Sequence, residues 1–390
     1  MKISVIVSDF SGGGSVRAYL LGQVLQQLNY EFELVGFVFG KNLYASPPEG
    51  MKIIPVEGSN YPNFFGAARN VLNKIDGDII YAVKPKPTSF GLSLFKKIRS
   101  NRPVILDMDD WELSWYGGDN WKYRPNLKQL AKDILKKDGA LRFPDHPLYV
   151  KWMESLVTNA DAITIDSQFL QERFGGVYLP NGKDTSLFDP QKYDIESSKK
   201  RYGLSDYQIL MFPGAPRSHK GVEDVLMALD QLNQPNLRLV IVGGSPYDNY
   251  DDQLMQKWGR WIIQLPRCPV EVMPEVLSAA DIIVVPQRDH PTSRAQFPLK
   301  LTDGMAMAKP VLSTKVGDIP EILGGTGYLV EPSSPTEIAL KIDWIFKNLA
   351  IANETGKSAR KRCIELYSIE KMANILSKVI SNLDIKCYSN

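Results

Sequence analysis

Short β-rich segments alternate with helical patterns along the whole chain, and this alternation limits the folds that are possible. Two of the segments, LRLVIVG at 237–243 and DIIVVP at 281–286, are apolar on both faces. Strands of this kind are typical of parallel sheets that helices cover on both sides. The pattern occurs in both halves of the 390 residues. The sequence therefore predicts an α/β fold of two doubly wound, Rossmann-like domains that face each other across a central cleft.

The predicted strands divide evenly between the two halves. In the first half they are Lys2–Ser8, Phe32–Phe39, Met51–Glu57, Asp78–Val83, Val104–Met108 and Ala162–Ser167. In the second half they are Gln208–Phe212, Leu237–Gly243, Trp261–Leu265, Asp281–Pro286, Pro310–Thr314 and Gly327–Val330. Between the halves, in Leu179–Tyr193, turn-forming residues cluster and the periodicity is lost. We predict domains at 1–185 and 186–365, with a C-terminal helical segment at about 366–390 that packs back on the first.

Charge and cysteine content exclude several classes of protein. Lys and Arg number 46 against 44 Asp and Glu, so the formal net charge is only +2. This balance argues against a nucleic-acid-binding domain, which is usually basic overall. Three cysteines without a CxxC pair argue against a zinc site or a disulfide framework. The N-terminal apolar run is too short for a signal peptide and no stretch is long enough to span a bilayer, so we expect a cytoplasmic protein.

Two loops that follow predicted strands have the composition of anion-binding loops. The first is SGGGSVR at 11–17, in which consecutive glycines permit a close approach of the backbone to a ligand. It lacks the GxGxxG fingerprint because Arg17 stands where the third glycine belongs. The second is FPGAPRSHKG at 212–221, where Arg217 and Lys220 precede a helix. Two cations and a helix N-terminus suit a diphosphate. The alternative for the first loop is a tight structural turn, and the alternative for the second is a solvated loop with two surface charges.

A third segment, SRAQFPLKLTDGMAMAKP at 293–310, strengthens the functional interpretation. Pro298 suits the start of a helix, and Lys300 and Asp303 then share one helical face near its N-terminus. A cation at this place can contact a phosphate, and a carboxylate can accept hydrogen bonds from ribose hydroxyls. An ordinary ion pair between the two side chains is the alternative.

These segments, in this order and spacing, resemble the GT-B glycosyltransferases of the retaining family 4, also called group 1 glycosyltransferases. The resemblance covers essentially the whole chain and is strongest from Leu179 to Pro332, in LPNGKDTSLFDP, FPGAPRSHKGVEDVLMAL, LVIVGG, MPEVLSAADIIVVPQ, FPLKLTDGMAMAKPVLSTKVGDIPEIL and GYLVEP. It implies an enzyme that transfers a hexose from a nucleotide-diphosphate sugar. No metal or other cofactor is expected, because three cations are enough to stabilise the leaving diphosphate.

The resemblance also implies the site residues. Arg217 and Lys220 match the basic loop that holds the donor diphosphate, and Lys300 and Asp303 match the FPLK-type lysine and the ribose carboxylate. The other donor-binding positions are glycines and the start of the FPLK helix: Gly13, Gly14, Gly243, Gly244, Phe297, Pro298 and Leu299. Cations aimed at the charge that develops on the diphosphate make Arg217, Lys220 and Lys300 catalytic residues.

Two positions depart from the family pattern. Ala295 stands where the family has the first of two glutamates, so the sugar contact of that glutamate must come from another group. Asp109 stands near the place of a first-domain histidine, and either it takes over a catalytic role toward donor or acceptor or it caps the turn.

The resemblance indicates the donor and the acceptor only as chemical classes. UDP-glucose is the first expectation for the donor, and a polysaccharide or lipid-linked glycan is expected as the acceptor. A nucleotide-sugar 2-epimerase-like enzyme and a catalytically weak nucleotide-sugar-binding protein are the alternatives.

A basic amphipathic helix is predicted within Trp121–Lys137, which contains six basic residues and one acid. Its apolar residues Leu127, Leu130, Ala131 and Ile134 fall on one face. Such a helix could dock the protein peripherally on an anionic membrane, at the inner face of the cytoplasmic membrane. The alternative is a solvated helix whose apolar stripe packs on the core, and the pattern alone favours that alternative.

Overall fold

The computed structural model describes residues 1–245 and 248–383, and these form two compact units. The first unit contains Met1–Asn181 and the chain from Met372, and the second contains Gly182–Lys371. Residues 384–390, with Cys387 and the end of the C-terminal segment predicted at 366–390, lie outside the described residues. No helix in the described ranges is long and apolar enough to cross a membrane.

The first unit is built on a parallel sheet of seven strands in the order β3-β2-β1-β4-β5-β6-β7. The strands are β1 Lys2–Val7, β2 Glu31–Val38, β3 Ile53–Glu57, β4 Ile79–Val83, β5 Val104–Met108, β6 Ala162–Ile165 and β7 Val177–Tyr178. The α-helices are α1 Gly14–Gln27, α2 Phe64–Lys74, α3 Leu92–Ser100, α4 Leu127–Leu135, α5 Pro147–Ser155 and α6 Gln168–Phe174. β4 and β5 are buried at every residue, as their continuous apolar runs predict.

The second unit repeats the architecture with a six-stranded parallel sheet in the order β10-β9-β8-β11-β12-β13. Its strands are β8 Gln208–Pro213, β9 Leu237–Val242, β10 Ile262–Leu265, β11 Ile282–Val285, β12 Val311–Thr314 and β13 Tyr328–Val330. Its helices are α7 Ile195–Arg201, α8 Val222–Leu232, α9 Tyr250–Trp258, α10 Met273–Ser278, α11 Pro291–Arg294, α12 Leu299–Ala306, α13 Ile319–Leu323, α14 Pro335–Lys347 and α15 Leu349–Tyr367. A last helix, α16 Ile369–Ser381, carries the chain from the second unit into the first.

The predicted fold class is confirmed, because both sheets are parallel and flanked by helices. Each predicted strand occurs with ends within two residues of those expected. β7 was not predicted, because two residues are too few to show a hydrophobic pattern. In a parallel sheet of this kind, ligands bind beyond the carboxyl ends of the strands. The loops after β1, β4, β5, β8, β9 and β11 are therefore the places to search for a site.

Candidate functional site

The loop after β8 is held in place by a glycine that no other residue could replace without strain. Gly221 has a φ of 69°, and a Cβ at this position would lie 1.8 Å from the carbonyl oxygen of Pro286. The loop therefore packs directly against the end of β11, and its turn at Ser218–Lys220 leads into α8. This packing fixes the backbone that carries Arg217 and Lys220 at the carboxyl edge of the sheet.

Lys300 reaches the same loop from the first turn of α12. Its Nζ lies 5.0 Å from the centre of the Phe212 ring and 3.0 Å from the place that a Cβ at Gly214 would occupy. Burial lowers the pKa of the Lys300 ammonium, Asp303 partly opposes this effect, and Arg217 lowers the pKa further. Two cations from separate elements are therefore close enough to repel each other.

His219 is close enough to all three predicted cations to be affected by their charge. Its pKa is lowered to about 3, first by burial and then by electrostatic interactions with Lys220, Arg217, His290 and Lys300. The imidazole is therefore neutral at physiological pH. Burial contributes most to this shift, and the contributions of Lys220, Arg217 and Lys300 add to it. A place at which three cationic side chains act together is suited to an anion. We call Arg217, Lys220 and Lys300 the cation group.

The segment before α12 gives its predicted residues different environments. Lys220 Nζ donates to Gln296 Oε1 at 3.1 Å, beside Ala295, which is fully buried. The Phe297 side chain lies in the core, with its ring centre 5.8 Å from that of Tyr367, so only its backbone remains for a ligand. The other two predicted residues, Pro298 and Leu299, are buried and partly exposed, respectively, at the start of α12.

Asp303 forms an ion pair with Lys183, and both side chains are largely buried. The sequence interpretation considered only Lys300 as a partner and did not single out Lys183. Lys183 lies 120 positions away in the chain, in the LPNGKD turn, and also stacks over the Phe188 ring at 4.4 Å. A carboxylate fixed in this way has one oxygen committed to the lysine and can use the other as an acceptor for a hydroxyl group.

Gly243 and Gly244 form the tight end of β9, the strand next to β8. Gly243 has a φ of 96°, and its N–H donates to the carbonyl oxygen of Leu265 at 2.9 Å. A Cβ on Gly244 would lie 2.6 Å from Asp251 Oδ2, which accepts a hydrogen bond from the N–H of Ser245. The carboxyl ends of neighbouring parallel strands meet at one edge, so these glycines and the cation group share an edge of the sheet.

In the first unit, the two predicted glycines have different surroundings. Gly13 precedes α1, and a Cβ there would meet nothing within 4 Å. Gly14 begins the helix, and a Cβ there would lie 2.7 Å from Cε of Lys84. Only Gly13 borders open space, whereas Gly14 leaves room for a lysine side chain.

Asp109 belongs to an ionic cluster that the sequence interpretation missed. Lys84 Nζ lies 2.6 Å from Glu112 Oε1 and 3.1 Å from Asp109 Oδ1, and Lys86 Nζ lies 2.8 Å from Glu112 Oε2. We call these four residues the lysine–carboxylate cluster. The available signal was the position of both lysines directly after the apolar strand IIYAV, at the carboxyl edge of the sheet.

Arg17, which replaces the third glycine of the dinucleotide fingerprint, is a buried structural residue. Its guanidinium donates to both carboxylate oxygens of Asp107 at 2.9 Å and to Asn181 Oδ1 at 3.0 Å. Thr164 Oγ1 completes the network by donating to Asp107 at 2.7 Å. A bidentate buried pair of this kind ties the start of α1 to β5 beneath the glycine loop.

The predicted basic helix is present as α4, but its apolar residues do not pack on the core. Leu127 and Leu135 are 86% and 76% exposed, and Ile134 is half exposed. The buried residue of α4 is Asp133, whose Oδ1 and Oδ2 accept from Gln129 and Tyr123. The favoured alternative of a core-packed apolar stripe was therefore wrong, because Leu127, Ala131 and Ile134 are exposed and Leu130 is only partly buried.

Comparison with known proteins shows a partial match to one family and a relative of similar length. Residues 194–362 match the family model described as glycosyl transferases group 1. N-acetyl-alpha-D-glucosaminyl L-malate synthase of Bacillus anthracis is 24% identical over 387 residues, which cover 96% of this chain and 95% of that protein.

Two solved structures share the fold. Sucrose-phosphate synthase of Thermosynechococcus elongatus has a TM-score of 0.74 at 19% identity and covers 98% of each chain. Anabaena HepE in complex with UDP-glucose has a TM-score of 0.75 at 18% identity, over 98% of this chain and 100% of that one. With two parallel Rossmann-like sheets and solved structures that align over 98% or more of both chains, the chain has the GT-B fold, and its residues 194–362 are similar to the group 1 glycosyltransferases.

Proposed function

We propose that this protein is a retaining hexosyltransferase that uses a nucleotide-diphosphate sugar, with UDP-glucose as the first candidate, and acts on a polysaccharide or lipid-linked glycan. The observation that carries the proposal is the cation group, in which Arg217 and Lys220 from the loop after β8 and Lys300 from the first turn of α12 lie at one edge of the sheet. Like charges that are held together in a partly buried place gain stability from a bound anion. A nucleotide diphosphate has the charge and the size for this position.

The cation group would also accelerate the reaction. When the bond between the anomeric carbon and the diphosphate oxygen breaks, negative charge grows on the leaving diphosphate. Arg217, Lys220 and Lys300 are placed before the reaction starts, so they stabilise the transition state more than the ground state. We propose on the same ground that no metal is needed, and a chelator should leave the rate unchanged.

The geometry of each unit supports the remaining donor contacts that we propose. Asp303, fixed by Lys183, would accept a hydrogen bond from a ribose hydroxyl. Gly243, Gly244 and the backbone of 297–299 would border the nucleotide, and Gly13 would border the donor from the first unit. Retention of anomeric configuration would follow if the leaving phosphate removes the acceptor proton on the same face of the sugar.

The experiment for this proposal is the release of UDP from UDP-glucose by Arg217→Ala and Lys220→Ala. Each substitution removes one charge-stabilising contact, and the loss of one such contact typically lowers kcat by about 10²–10³-fold. Lys361→Ala, which removes an exposed lysine on α15, is the matched control and should retain the wild-type rate. Wild-type turnover in both site variants would contradict the proposal.

Two other activities remain as outcomes of the same assay. A 2-epimerase-like enzyme would release UDP and a free altered sugar without forming a glycan. A nucleotide-sugar-binding protein would bind UDP but release none from any donor. Ala295 motivates the second outcome, because it replaces an acidic residue of the family pattern.

We further propose that the enzyme works at the inner face of the cytoplasmic membrane and contacts anionic lipid through 121–137. Most of the apolar side chains of α4 are exposed, and six basic side chains accompany them: Lys122, Arg124, Lys128, Lys132, Lys136 and Lys137, all exposed. Among the described residues, none of these six forms a salt bridge with a carboxylate. An outward apolar face with a basic flank is the pattern of a helix that lies in a membrane interface.

Vesicle co-sedimentation tests this contact without a sugar donor. The wild-type chain should sediment with phosphatidylglycerol-containing vesicles at low salt and stay in solution with pure phosphatidylcholine. Leu127→Gln/Leu135→Gln should abolish binding, whereas Leu340→Gln, at a 67% exposed leucine of α14, should not. Equal binding by both variants, or none by the wild-type chain, would contradict the membrane contact.

A further inference from the structure

We propose that Lys84 is a positioning residue, which holds the carboxylate of Asp109 in place for a hydroxyl group of a sugar bound beside Gly13. This inference rests on the proposed function and adds a residue to the site of the first unit. It is carried by three features of the structure: the conformation of Lys84, its contacts, and its position against the glycine loop.

The backbone of Lys84 adopts a conformation that lysine rarely has. Its φ is 72°, in the left-handed region, directly after β4. Hydrogen bonds hold it there, since its N–H donates to Asp107 O at 2.8 Å and its carbonyl oxygen accepts from Ser89 Oγ at 2.8 Å. Strained residues that their surroundings fix in this way are concentrated at functional sites.

The strained backbone directs the Lys84 side chain across the start of α1. Gly14 is the residue that leaves space for it, because a Cβ there would collide with Cε of Lys84. The stem of Lys84 therefore lies directly beneath the loop that contains Gly13, the glycine that borders open space. The ammonium group reaches Asp109 and Glu112 from this side.

Within the lysine–carboxylate cluster, Lys84 connects a fixed carboxylate to a more exposed one. Glu112 is held by Lys84 and by Lys86, so both of its oxygens are occupied. The buried Oδ1 of Asp109 lies 3.1 Å from Lys84 Nζ in an ionic contact without hydrogen-bond geometry, while the Asp109 side chain keeps 15% of its surface exposed. The exposed part of Asp109 is therefore not the oxygen that faces Lys84, and Oδ2 can accept a hydrogen bond from a sugar hydroxyl.

The charge of Lys84 is secured by its partners. Burial alone would lower the pKa of Lys84, but the carboxylates of Asp109 and Glu112 outweigh burial and raise the pKa well above its ordinary value. The ammonium group therefore carries its charge at neutral pH. The contact of Lys84 with Glu112 would be sufficient for a purely structural role. The additional contact with Asp109 links Lys84 to the proposed sugar site beside Gly13.

The test is a double-mutant cycle on kcat for UDP release from UDP-glucose. Asp109→Asn and Lys84→Met should each lower kcat by about 10²-fold, in the range of positioned polar groups, with little change in the KM for the donor. Lys84→Met in the Asp109→Asn background should cost less than about 3-fold more, because the two residues act as a unit. Lys84→Arg should recover a large part of the rate.

Lys86→Met is the matched control, because Lys86 also binds Glu112 but has no contact with Asp109 in the described structure. It should keep kcat within about 3-fold of the wild type. If Lys84→Met fails to fold, Lys84→Met/Glu112→Gln removes one charge of each sign and should show the same loss of kcat.

The outcomes separate this inference from the proposed function. If the wild-type chain turns over and Asp109→Asn lowers kcat but the Lys84 variants do not, the role of Lys84 is overturned and the proposed transferase activity stands. The same conclusion follows if the two losses of kcat add in the double variant. A wild-type chain that releases no UDP would overturn the proposed function and this inference with it.

Discussion

Two lysines at carboxyl edges of parallel sheets, the buried Lys84 in the first unit and the partly buried Lys300 in the second, have opposite electrostatic environments. Two carboxylates accompany Lys84 and raise its pKa well above the ordinary value. For Lys300, burial and the nearby Arg217 lower the pKa, although Asp303 opposes them. The charge of Lys84 is balanced within the protein, and the charge of Lys300 would be balanced by a ligand. The first arrangement favours folding, and the second favours binding of an anion.

The largest expected effect on stability is at Lys84. Lys84→Met leaves Asp109 and Glu112 buried without the cation between them, and removing one partner of a buried pair costs about 3–5 kcal/mol. Urea unfolding should show this loss as a lower midpoint with an unchanged slope. An unfolding midpoint equal to that of the wild type would mean that the cluster does not balance its own charge.

The next effect is a dependence of stability on acid, which comes from Glu112. Its pKa falls from the ordinary 4.5 to about 2, because the positive charges of Lys84 and Lys86 outweigh burial. A carboxyl whose pKa is depressed in the folded state contributes stability that is present above pH 4.5 and is lost as the pH falls toward 2. The contribution is at most about 3 kcal/mol.

Unfolding of Glu112→Gln between pH 5 and pH 3 measures this contribution. The variant should be less stable than the wild type at pH 5, and the difference should shrink at pH 3. Glu354→Gln, at an exposed pair with Lys357, serves as the control and should follow the wild-type curve. If the difference in the free energy of unfolding between Glu112→Gln and the wild type is the same at pH 5 and pH 3, the lowered pKa of Glu112 is contradicted.

Lys300→Met should have a smaller effect of the opposite sign. The lowered pKa means that the folded state binds the Lys300 proton less readily than the unfolded state, so the charged lysine costs stability at neutral pH. Its removal should raise Tm by about 1–3 °C, and the gain should narrow as the pH rises toward the ordinary lysine pKa. UDP should raise the Tm of the wild-type chain but not that of Lys300→Met. If Lys300→Met has a lower Tm than the wild type without UDP, the charge of Lys300 does not destabilise the folded state, and the contrast with Lys84 is wrong.

The smallest effect is expected at an exposed ion pair. Lys315 pairs with Glu331 at 2.5 Å, but half of each side chain is exposed. Lys315→Ala should change the free energy of unfolding by less than about 0.5 kcal/mol. If Lys315→Ala lowers the free energy of unfolding as much as Lys84→Met does, burial does not explain the difference between Lys84 and an ordinary surface ion pair.

The sequence was sufficient for the features that local pattern determines. The apolar runs located the strands, and the glycines and cations after them located the loops that the structure places at the carboxyl edges. Asp303 and Lys300 are indeed on the first turns of one helix, as Pro298 predicted. Each of these inferences depends on residues close together in the chain.

The features that were missed depend on residues that are distant in the chain. Lys183 and Asp303 are 120 positions apart, and Lys84 meets Asp109 only because β4 and β5 are neighbours in the sheet. The outward face of α4 was also beyond the pattern, since the periodicity of a helix shows that it has two faces but not which face packs. Asp133 decides the orientation through its bonds to Tyr123 and Gln129.

Calorimetric titration with UDP measures directly whether the cation group binds a diphosphate, because it needs neither the correct sugar nor the acceptor. The wild-type chain and Lys361→Ala/Lys371→Ala, which removes two exposed lysines, should bind UDP with the same affinity. Arg217→Ala/Lys220→Ala should bind at least about 100-fold more weakly, since each charge-assisted contact is worth about 1.5–3 kcal/mol. Equal affinity of all three proteins for UDP would contradict the assignment of the cation group as the diphosphate site.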